Sequence, residues 1–581
     1  MTRKMGTEGA RGTKSSLFHP ALIGLVLAAI VVRIVITLVL PRVIKFDESA
    51  YLMLGYNLVN GSGYTTTQMY PDTHHPPLYP IISGLVHWFV GDFEQASNLA
   101  YALFGGLLLL PVFVLAQRVY GAQTAWLVAI LLAIFPPLSI SVLYWGGMTE
   151  PLFLFLLYGG LAALLVAFED NRAAMLTSGG LLLGLAYLTR PEAIVYFGVI
   201  LLFGLVWLRN RPPCSGFLNR YAFAWSILVF VLVAAPYVWY LHSHTGQWTL
   251  SGKTNGTVQS FDDMLAGDWA AFDRSNWGLD SSGKVVNWDS PERFKGSLLR
   301  EVVLADPVRF LHRVLLNGYR LKEELFVKDV FWYGLLPLVA LAFFKDPWDR
   351  KRLMHEAFLI TIILVLLLVF LPFGIFVRYF APAFPVLLMW TARGALGLGA
   401  WLLETLELLR GRPASGRYLR FMLSWMPAAM VVLFLVIMVP VAAQGHLERL
   451  LLGEKKAGLW LREHSAVDAA IMSRDIAVGL YANRRYVPSP NSDWPRMLQY
   501  ARSFGANYLV ASSGELTRLR PQLAFLLGSG APELELVYSF EESRGRTMVF
   551  RILPSSKSSL IAGQPFLGEP IPSTKPAGLK H

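Results

Sequence analysis

Charge is scarce in this chain: Asp, Glu, Lys and Arg together make up 15% of its 581 residues, where a soluble domain carries about 25%. With 54% hydrophobic residues and 49 glycines, a soluble fold would have nowhere to hide the apolar surplus. Cysteine is scarcer still. The only one, Cys214, excludes an intrachain disulfide framework and any multi-cysteine metal site. There is no Walker loop and no HExxH, and the GxGxxG-like stretch GALGLGA lies inside an apolar run, so nothing points to nucleotide hydrolysis. The polar start MTRKMGTEGARGTKSS leads into a long apolar run without a small-residue cleavage site, so no cleavable signal is expected.

What the chain does have is long apolar runs, the mark of a polytopic α-helical membrane protein. Eleven spans are expected, at about 21–40, 97–117, 123–140, 148–167, 173–189, 191–208, 221–241, 330–344, 356–372, 380–403 and 421–443. The net charge of +12 could suggest nucleic acid, but the basic residues recur in short clusters between the apolar runs, which fits topology instead. They gather at Arg3, Lys4, Arg11 and Lys14; at Arg209, Arg211 and Arg220; at Lys345, Arg350, Lys351 and Arg352; and at Arg410, Arg412, Arg417 and Arg420. With residues 1–20 cytoplasmic, every cluster falls on the inner side, and the C-terminal part then lies outside. The expected location is the plasma (inner) membrane, among membrane lipids and with no nucleic-acid partner.

Three outer segments exceed simple connectors. In 41–96 the stretch LYPIISGLVHWFV sets Leu78, Ile81, Ile82, Leu85, Trp88 and Phe89 on one helical face, which reads as a helix lying in the membrane interface. The segment 242–329 is polar and aromatic, with Trp248, Trp269, Trp277 and Trp288, and suits a lid over an outward-facing site. From about 444 strand-like and helical stretches alternate, with LELVYSF and TMVFRIL pairing across EESRGR. That pattern predicts a small extracytoplasmic α/β domain over 444–553. The Pro-, Ser- and Lys-rich residues 554–581 are expected to be disordered.

Five polar clusters fall at the outer ends of the spans. Phe46-Asp47-Glu48-Ser49-Ala50-Tyr51 follows the first span, and two carboxylates so near hydrocarbon are costly unless solvated or used. In a helix starting here Asp47 and Tyr51 share a face and Glu48 points about 100° away; the competing reading is that both carboxylates merely cap the helix. His74 and His75 precede Pro76 and Pro77, a pair that could meet an anion or a metal or simply be solvated at a helix start. Glu150 opens the fourth span, Arg190 and Glu192 form the turn in LTRPEA, and Arg378 and Tyr379 open the tenth span in FVRYFAPAFP. Arginines on this side can snorkel to headgroups, but they run against the positive-inside bias and suit a bound anion, whose phosphate the guanidinium fork matches. All five clusters share one membrane face, as a site for an anionic lipid and a hydroxyl-bearing partner requires.

FDESAY, HPPLYP, the T-E-P of the fourth span, LTRPE and RYFAPAFP in this order resemble the C-type (GT-C) glycosyltransferase superfamily. Within it the chain is similar to the branch of protein O-mannosyltransferases and lipid A aminoarabinose transferases, glycosyltransferase family 39 and relatives, over roughly 20–445. The resemblance implies a GT-C transmembrane catalytic domain over 21–443, with outer loops 41–96 and 242–329. It also implies inverting transfer of one sugar from a polyprenyl-phosphate donor to an acceptor hydroxyl on the outer side. Asp47 then matches the catalytic carboxylate and Glu48 its neighbour; Arg378, Arg190 and His75 are the candidates for the donor phosphate, and Tyr51, His74, Glu150 and Tyr379 line the substrate.

The chemistry is consistent with that implication. The acceptor hydroxyl needs a base, while the leaving phosphate needs no proton if cations hold its charge. A carboxylate in a half-dry niche is expected to have a raised pKa. One departure stands out: the aminoarabinose transferases carry Glu-Lys before Pro-Pro where this chain has His74 and His75, which counts against aminoarabinose as the sugar. No cofactor is expected, although a metal at His74 and His75, with His242 or His244, stays open. The rival classes are a transporter or flippase, which would place its site near midplane between repeats that this chain does not show, and an oligosaccharide ligase acting on polyprenyl-linked glycans.

Overall fold

The computed structural model describes residues 19–554 apart from 68–69, 146–147, 210–219, 254, 281, 287–289, 291–298, 328–329, 345–346, 375, 412–415, 529 and 544. The tail expected to be disordered, Cys214, Trp288 and several basic positions, among them Arg211, Lys345 and Arg412, lie outside the described residues.

The chain runs through α1 (Pro20–Val39), α2 (Asp47–Val59), α3 (Leu78–Val90), α4 (Phe93–Leu107), α5 (Leu109–Tyr120), α6 (Ala122–Ile134), α7 (Pro136–Ser139), α8 (Glu150–Asp170), α9 (Ala173–Tyr187), α10 (Ala193–Arg209) and α11 (Arg220–Thr245). It continues with α12 (Asn255–Leu265), α13 (Trp269–Trp277), α14 (Pro307–Leu325), α15 (Leu336–Leu341), α16 (Arg350–Phe370), α17 (Phe384–Arg410) and α18 (Arg417–Glu448). Two compact units result: Met1–Val258 with Pro291–Leu452, and Gln259–Ser290 with Gly453–His581.

The first unit is helical, and among the described residues seven of its helical segments are long and apolar enough to cross a membrane. Their outward faces stay apolar, as on α1, where Leu27, Val31 and Leu38 are 57%, 57% and 70% exposed; in water that surface would be untenable. Ala122–Ile134, Ala173–Tyr187 and Ala193–Trp207 are apolar but shorter. The expected span 330–344 is two short pieces, a 3-10 turn at Tyr333–Leu335 and α15. The stretch expected to lie in the interface forms a helix, α3, with Leu85, Trp88 and Phe89 exposed. It crosses α2 at close range because both contact residues are glycine: a Cβ on Gly55 would sit 2.2 Å from the Pro80 carbonyl oxygen, and one on Gly84 2.4 Å from that of Gly55.

The second unit is α/β. Strands β1 (Ala470–Ser473), β2 (Arg485–Pro488), β3 (Tyr508–Ser512), β4 (Leu534–Glu542) and β5 (Gly545–Ile552) form one sheet in the order β2-β1-β3-β5-β4. β1 pairs parallel with β2 and β3, and β5 antiparallel with β3 and β4. Gln259–Ser290, read from the sequence as part of the second outer loop, groups with this unit. Its anchor is Asp273, buried on α13, whose carboxylate meets Arg474 at 2.6 Å and Arg520 at 2.8 Å. Trp277 and Trp269 lie under the guanidiniums of Arg474 and Arg518.

Candidate functional site

The site is built at one end of the first unit's bundle, where α2, the 72–75 loop, the start of α8, the α9–α10 turn and the 3-10 turns Val377–Ala383 meet. α2 starts at Asp47 without a side-chain capping bond, so the capping reading fails. The residue before it, Phe46, is held at φ 49°, and Met148, two residues before Glu150, at φ 54°. Neither residue adopts the left-handed region cheaply, and such strain persists where the surroundings enforce it.

With no cap to make, the Asp47 carboxylate meets Arg378 at 2.5 Å. Arg378 also reaches the Trp145 carbonyl oxygen at 3.4 Å and lies over the Tyr379 ring at 5.3 Å. Asp47 remains 42% exposed and Arg378 19%, so the pair is open at a rim. Burial pushes the Asp47 carboxyl up, but the charge and hydrogen bond of Arg378, with His75 and His74, outweigh it and hold it at about 2. This corrects the expectation of a raised pKa: the niche is half dry, but it is cationic.

Glu48 is turned the other way, as the helix geometry requires. It is fully buried, bonded through both oxygens to Arg42 and accepting the Ser97 hydroxyl. Arg42 in turn donates to Asn98 at 2.7 Å. Glu48 therefore belongs to a dry network joining α2 to α4, on a different face of α2 from Asp47.

Arg190 is held between two carboxylates, Glu150 at 3.0 Å and Glu192 at 2.5 Å. Its guanidinium lies 5.4 Å from the Phe153 ring centre and 5.6 Å from that of Tyr379. Tyr379 thus sits between Arg190 and Arg378, itself stacked on Phe370 at 4.7 Å. Burial pushes Glu192 up, but Arg190 and then Lys253 pull it below its ordinary value. Lys253 escaped the sequence reading. It follows Gly252, whose backbone lies so close to the 72–75 loop that a Cβ there would be 1.8 Å from the Thr73 carbonyl oxygen.

Tyr51 shares the face of Asp47, one turn along, and meets the His75 ring edge-on at 4.9 Å and Tyr79 at 5.6 Å. His75 is buried with its Nδ1 2.9 Å from the Asp72 carboxylate, and His74 lies beside it at 5.0 Å. Asp72 was also missed. Its one sequence signal is an acidic residue three positions before a histidine at a proline-stiffened turn. His242 stacks on Trp248 at 4.0 Å and His244 returns to the Tyr240 carbonyl of its own helix. Among the described residues no three His, Cys, Asp or Glu side chains are grouped to hold a metal ion.

The five sequence clusters therefore converge, with Glu48 alone facing away. The arrangement brings together a partly exposed carboxylate–guanidinium pair, a second guanidinium held between two carboxylates, aromatic rings and imidazoles.

The family model of the dolichyl-phosphate-mannose-protein mannosyltransferases matches residues 74–240. No curated protein matches the chain. Among solved structures, ArnT from Cupriavidus metallidurans in the apo state is similar over 92% of this chain and 98% of its own, at 15% identity and a TM-score of 0.56. The crystal structure of ArnT bound to undecaprenyl phosphate is similar over the same shares, at 14% identity and a TM-score of 0.54. The oligosaccharyltransferase of Archaeoglobus fulgidus in the apo form is similar over 86% of this chain and 72% of its own, at 14% identity and a TM-score of 0.51. At such identities the likeness is one of fold, and it runs the length of ArnT. The family match covers residues 74–240, and over the rest of its length the chain shares with ArnT the fold of a helical, multi-pass membrane protein.

Proposed function

We propose that the chain is an inverting glycosyltransferase that moves one sugar from a polyprenyl-phosphate carrier to an acceptor hydroxyl at the extracytoplasmic face. The observation that carries this reading is the Asp47–Arg378 pair, open at the rim of a site otherwise walled by buried ion pairs. A second support is that ArnT, similar over nearly its whole length, has been crystallised with undecaprenyl phosphate.

On this reading Arg378 turns to the donor phosphate, offering two parallel N–H groups to its oxygens. Asp47, freed of its partner, receives the proton of the acceptor hydroxyl as that oxygen bonds to C1 of the sugar. The C1–O bond to phosphate breaks on the opposite face, and the charge that develops on the phosphate is met by Arg378 without a proton. Arg190, already balanced by Glu150 and Glu192, holds Tyr379 against the site and contributes its field to the phosphate. Tyr51, Tyr379 and His74 line the sugar, and Glu48 fixes α2 from behind. No cofactor enters the scheme.

The test is single-turnover transfer by purified protein with a panel of polyprenyl-phosphate monosaccharides. Asp47→Asn should lower the rate by about 10²–10⁴-fold while leaving folding and donor binding intact. Wild-type turnover of the variant removes Asp47 from the chemistry. Consumption only of oligosaccharide carriers replaces the donor class, and carriers that cross proteoliposomes unchanged make the chain a transporter.

A further inference from the structure

The outer segment read from the sequence as a polar lid contains a helix that is not polar throughout, α14. The Asp306 side chain caps it, accepting the Arg309 N–H at 2.9 Å, and Pro307 opens its first turn. At about 100° per residue its side chains fall into three arcs. Phe310, Val314, Asn317 and Leu321 form the first, which the bundle covers: Asn317 is buried and Leu321 packs on the core of the first unit. Val308, Leu311, Leu315 and Tyr319 form the second, and they are 79%, 58%, 64% and 59% exposed. Arg309, Arg313 and Arg320 lie on the third. With Lys322, the helix sets four cations against the two carboxylates of Glu323 and Glu324.

Its level is set by α16. The outward side of that span is apolar up to its last turn, with Leu364 and Leu368 exposed. Asn317 Nδ2 donates to the carbonyl oxygen of Leu371, which caps the span, at 2.8 Å. This holds α14 at the end of the apolar belt, against the stretch that leads into Arg378. α14 is not among the described segments apolar enough to cross a membrane. An apolar arc beside a cationic one, on a helix at the edge of a hydrocarbon belt, is the pattern of a helix lying in the interface. Lys322 Nζ lies 3.9 Å from the Tyr319 ring centre, and both residue types keep an apolar stem in the acyl boundary and a polar tip among headgroups. Water is a poor occupant for four adjacent apolar side chains. A second copy seated on this arc about a two-fold axis would bring two net-positive helices together.

We propose that α14 lies in the headgroup layer of a leaflet carrying phosphate lipids. Val308, Leu311, Leu315 and Tyr319 enter the acyl boundary, and the cations of the helix gather anionic lipids at the site end of the bundle. The partner is lipid phosphate in the bilayer, and the inference does not rest on the transferase reading.

The experiment attaches a fluorophore at Leu315→Cys in the full chain with Cys214→Ser, in phosphatidylcholine nanodiscs. The discs are doped with phosphatidylglycerol or phosphatidylcholine spin-labelled high on the acyl chain. Both lipids should quench, the anionic one about fivefold more effectively at low ionic strength, which is roughly the worth of one Lys or Arg near an anionic surface. Salt should shrink that preference. Arg320→Gln with Lys322→Gln should bring the two lipids close to parity and leave quenching by phosphatidylcholine unchanged. A fluorophore at Glu323→Cys, off the apolar arc, should be quenched less by either lipid. If Leu315→Cys does not fold, Val308→Cys on the same arc takes its place. No quenching on the arc by either lipid means that water or a second copy covers it, and overturns the proposal. Equal quenching by the two lipids with all four cations present overturns it too, because the helix then reads no headgroup charge.

Discussion

Removing the charge of Glu48 should unfold the site rather than slow its chemistry, and the structure sets the size of the effect. Glu48 and Arg42 are both 0% exposed. Glu48→Gln keeps the shape and one acceptor for the Ser97 hydroxyl, but it takes from the buried Arg42 the charge of the carboxylate that both its contacts to Glu48 use. Breaking a buried pair by removing one partner costs about 3–5 kcal/mol, enough to lower the apparent unfolding temperature by roughly 5 °C or more. Replacing both partners with Arg42→Met and Glu48→Leu should recover most of that loss, because the desolvation cost disappears with the charges. The assay is thermal unfolding of the purified protein in detergent, run as a double-mutant cycle, with transfer activity on the same samples. A coupling of about 3 kcal/mol between the two positions is expected. Glu48→Gln that melts like wild type yet transfers nothing would refute the reasoning, since Glu48 would then act on the reacting atoms.

Arg378→Ala should raise the donor KM by roughly 30-fold or more, the worth of a charge-assisted hydrogen bond at about 2 kcal/mol. It should also let the Asp47 carboxyl climb from about 2 toward the ordinary 3.9; isothermal titration with the lipid phosphate reads the first effect, and equal affinity in the variant would free Arg378 of its role. Asp273→Asn should loosen the second unit by about 3 kcal/mol, because Arg520 keeps Glu515 at 3.0 Å but loses its closer carboxylate. Burial pushes the Asp273 carboxyl up, but Arg520 and Arg474 outweigh it and hold it below its ordinary value. Its stabilisation is therefore complete above the unfolded pKa near 3.9 and lost as pH falls below it. Limited proteolysis of Gln259–Ser290 reports both effects, and a wild-type cleavage rate in the variant at neutral pH would show that Asp273 anchors nothing.

Much of the site was legible because it depends on short-range geometry. The spacing of Asp47 and Tyr51 places them on one helix face whatever the rest of the chain does, and the same spacing turns Glu48 away. One topology puts five clusters at one end of the bundle without any knowledge of contacts. What the sequence could not give is pairing across long separations. Arg378 lies 331 positions from Asp47, and its charge, with those of His75 and His74, reverses the direction of the Asp47 pKa. Asp72 was overlooked for the opposite reason: its partner is three residues away, and the hydrogen bond that joins them leaves no periodic trace. The apolar run 330–344 reads as one span on hydropathy, and the structure builds it from a 3-10 turn, Tyr333–Leu335, followed by a six-residue helix with Pro337 in its first turn. β2 was missed because RYVP, four residues with a charge at one end and a proline at the other, has no alternation to read.

The long-range pair also orders the steps of the proposed reaction. While Arg378 faces only Asp47, the two charges cancel and the carboxylate is a poor base. A lipid phosphate brings a second anion to the same guanidinium, which cannot serve both fully. Each N–H group that turns to the phosphate weakens the field on Asp47 and raises its affinity for a proton. The base is thus strengthened by donor binding itself, and an acceptor that arrives first finds a carboxylate unable to activate it. The same exchange discourages loss of the sugar to water, because with no donor bound there is no active base.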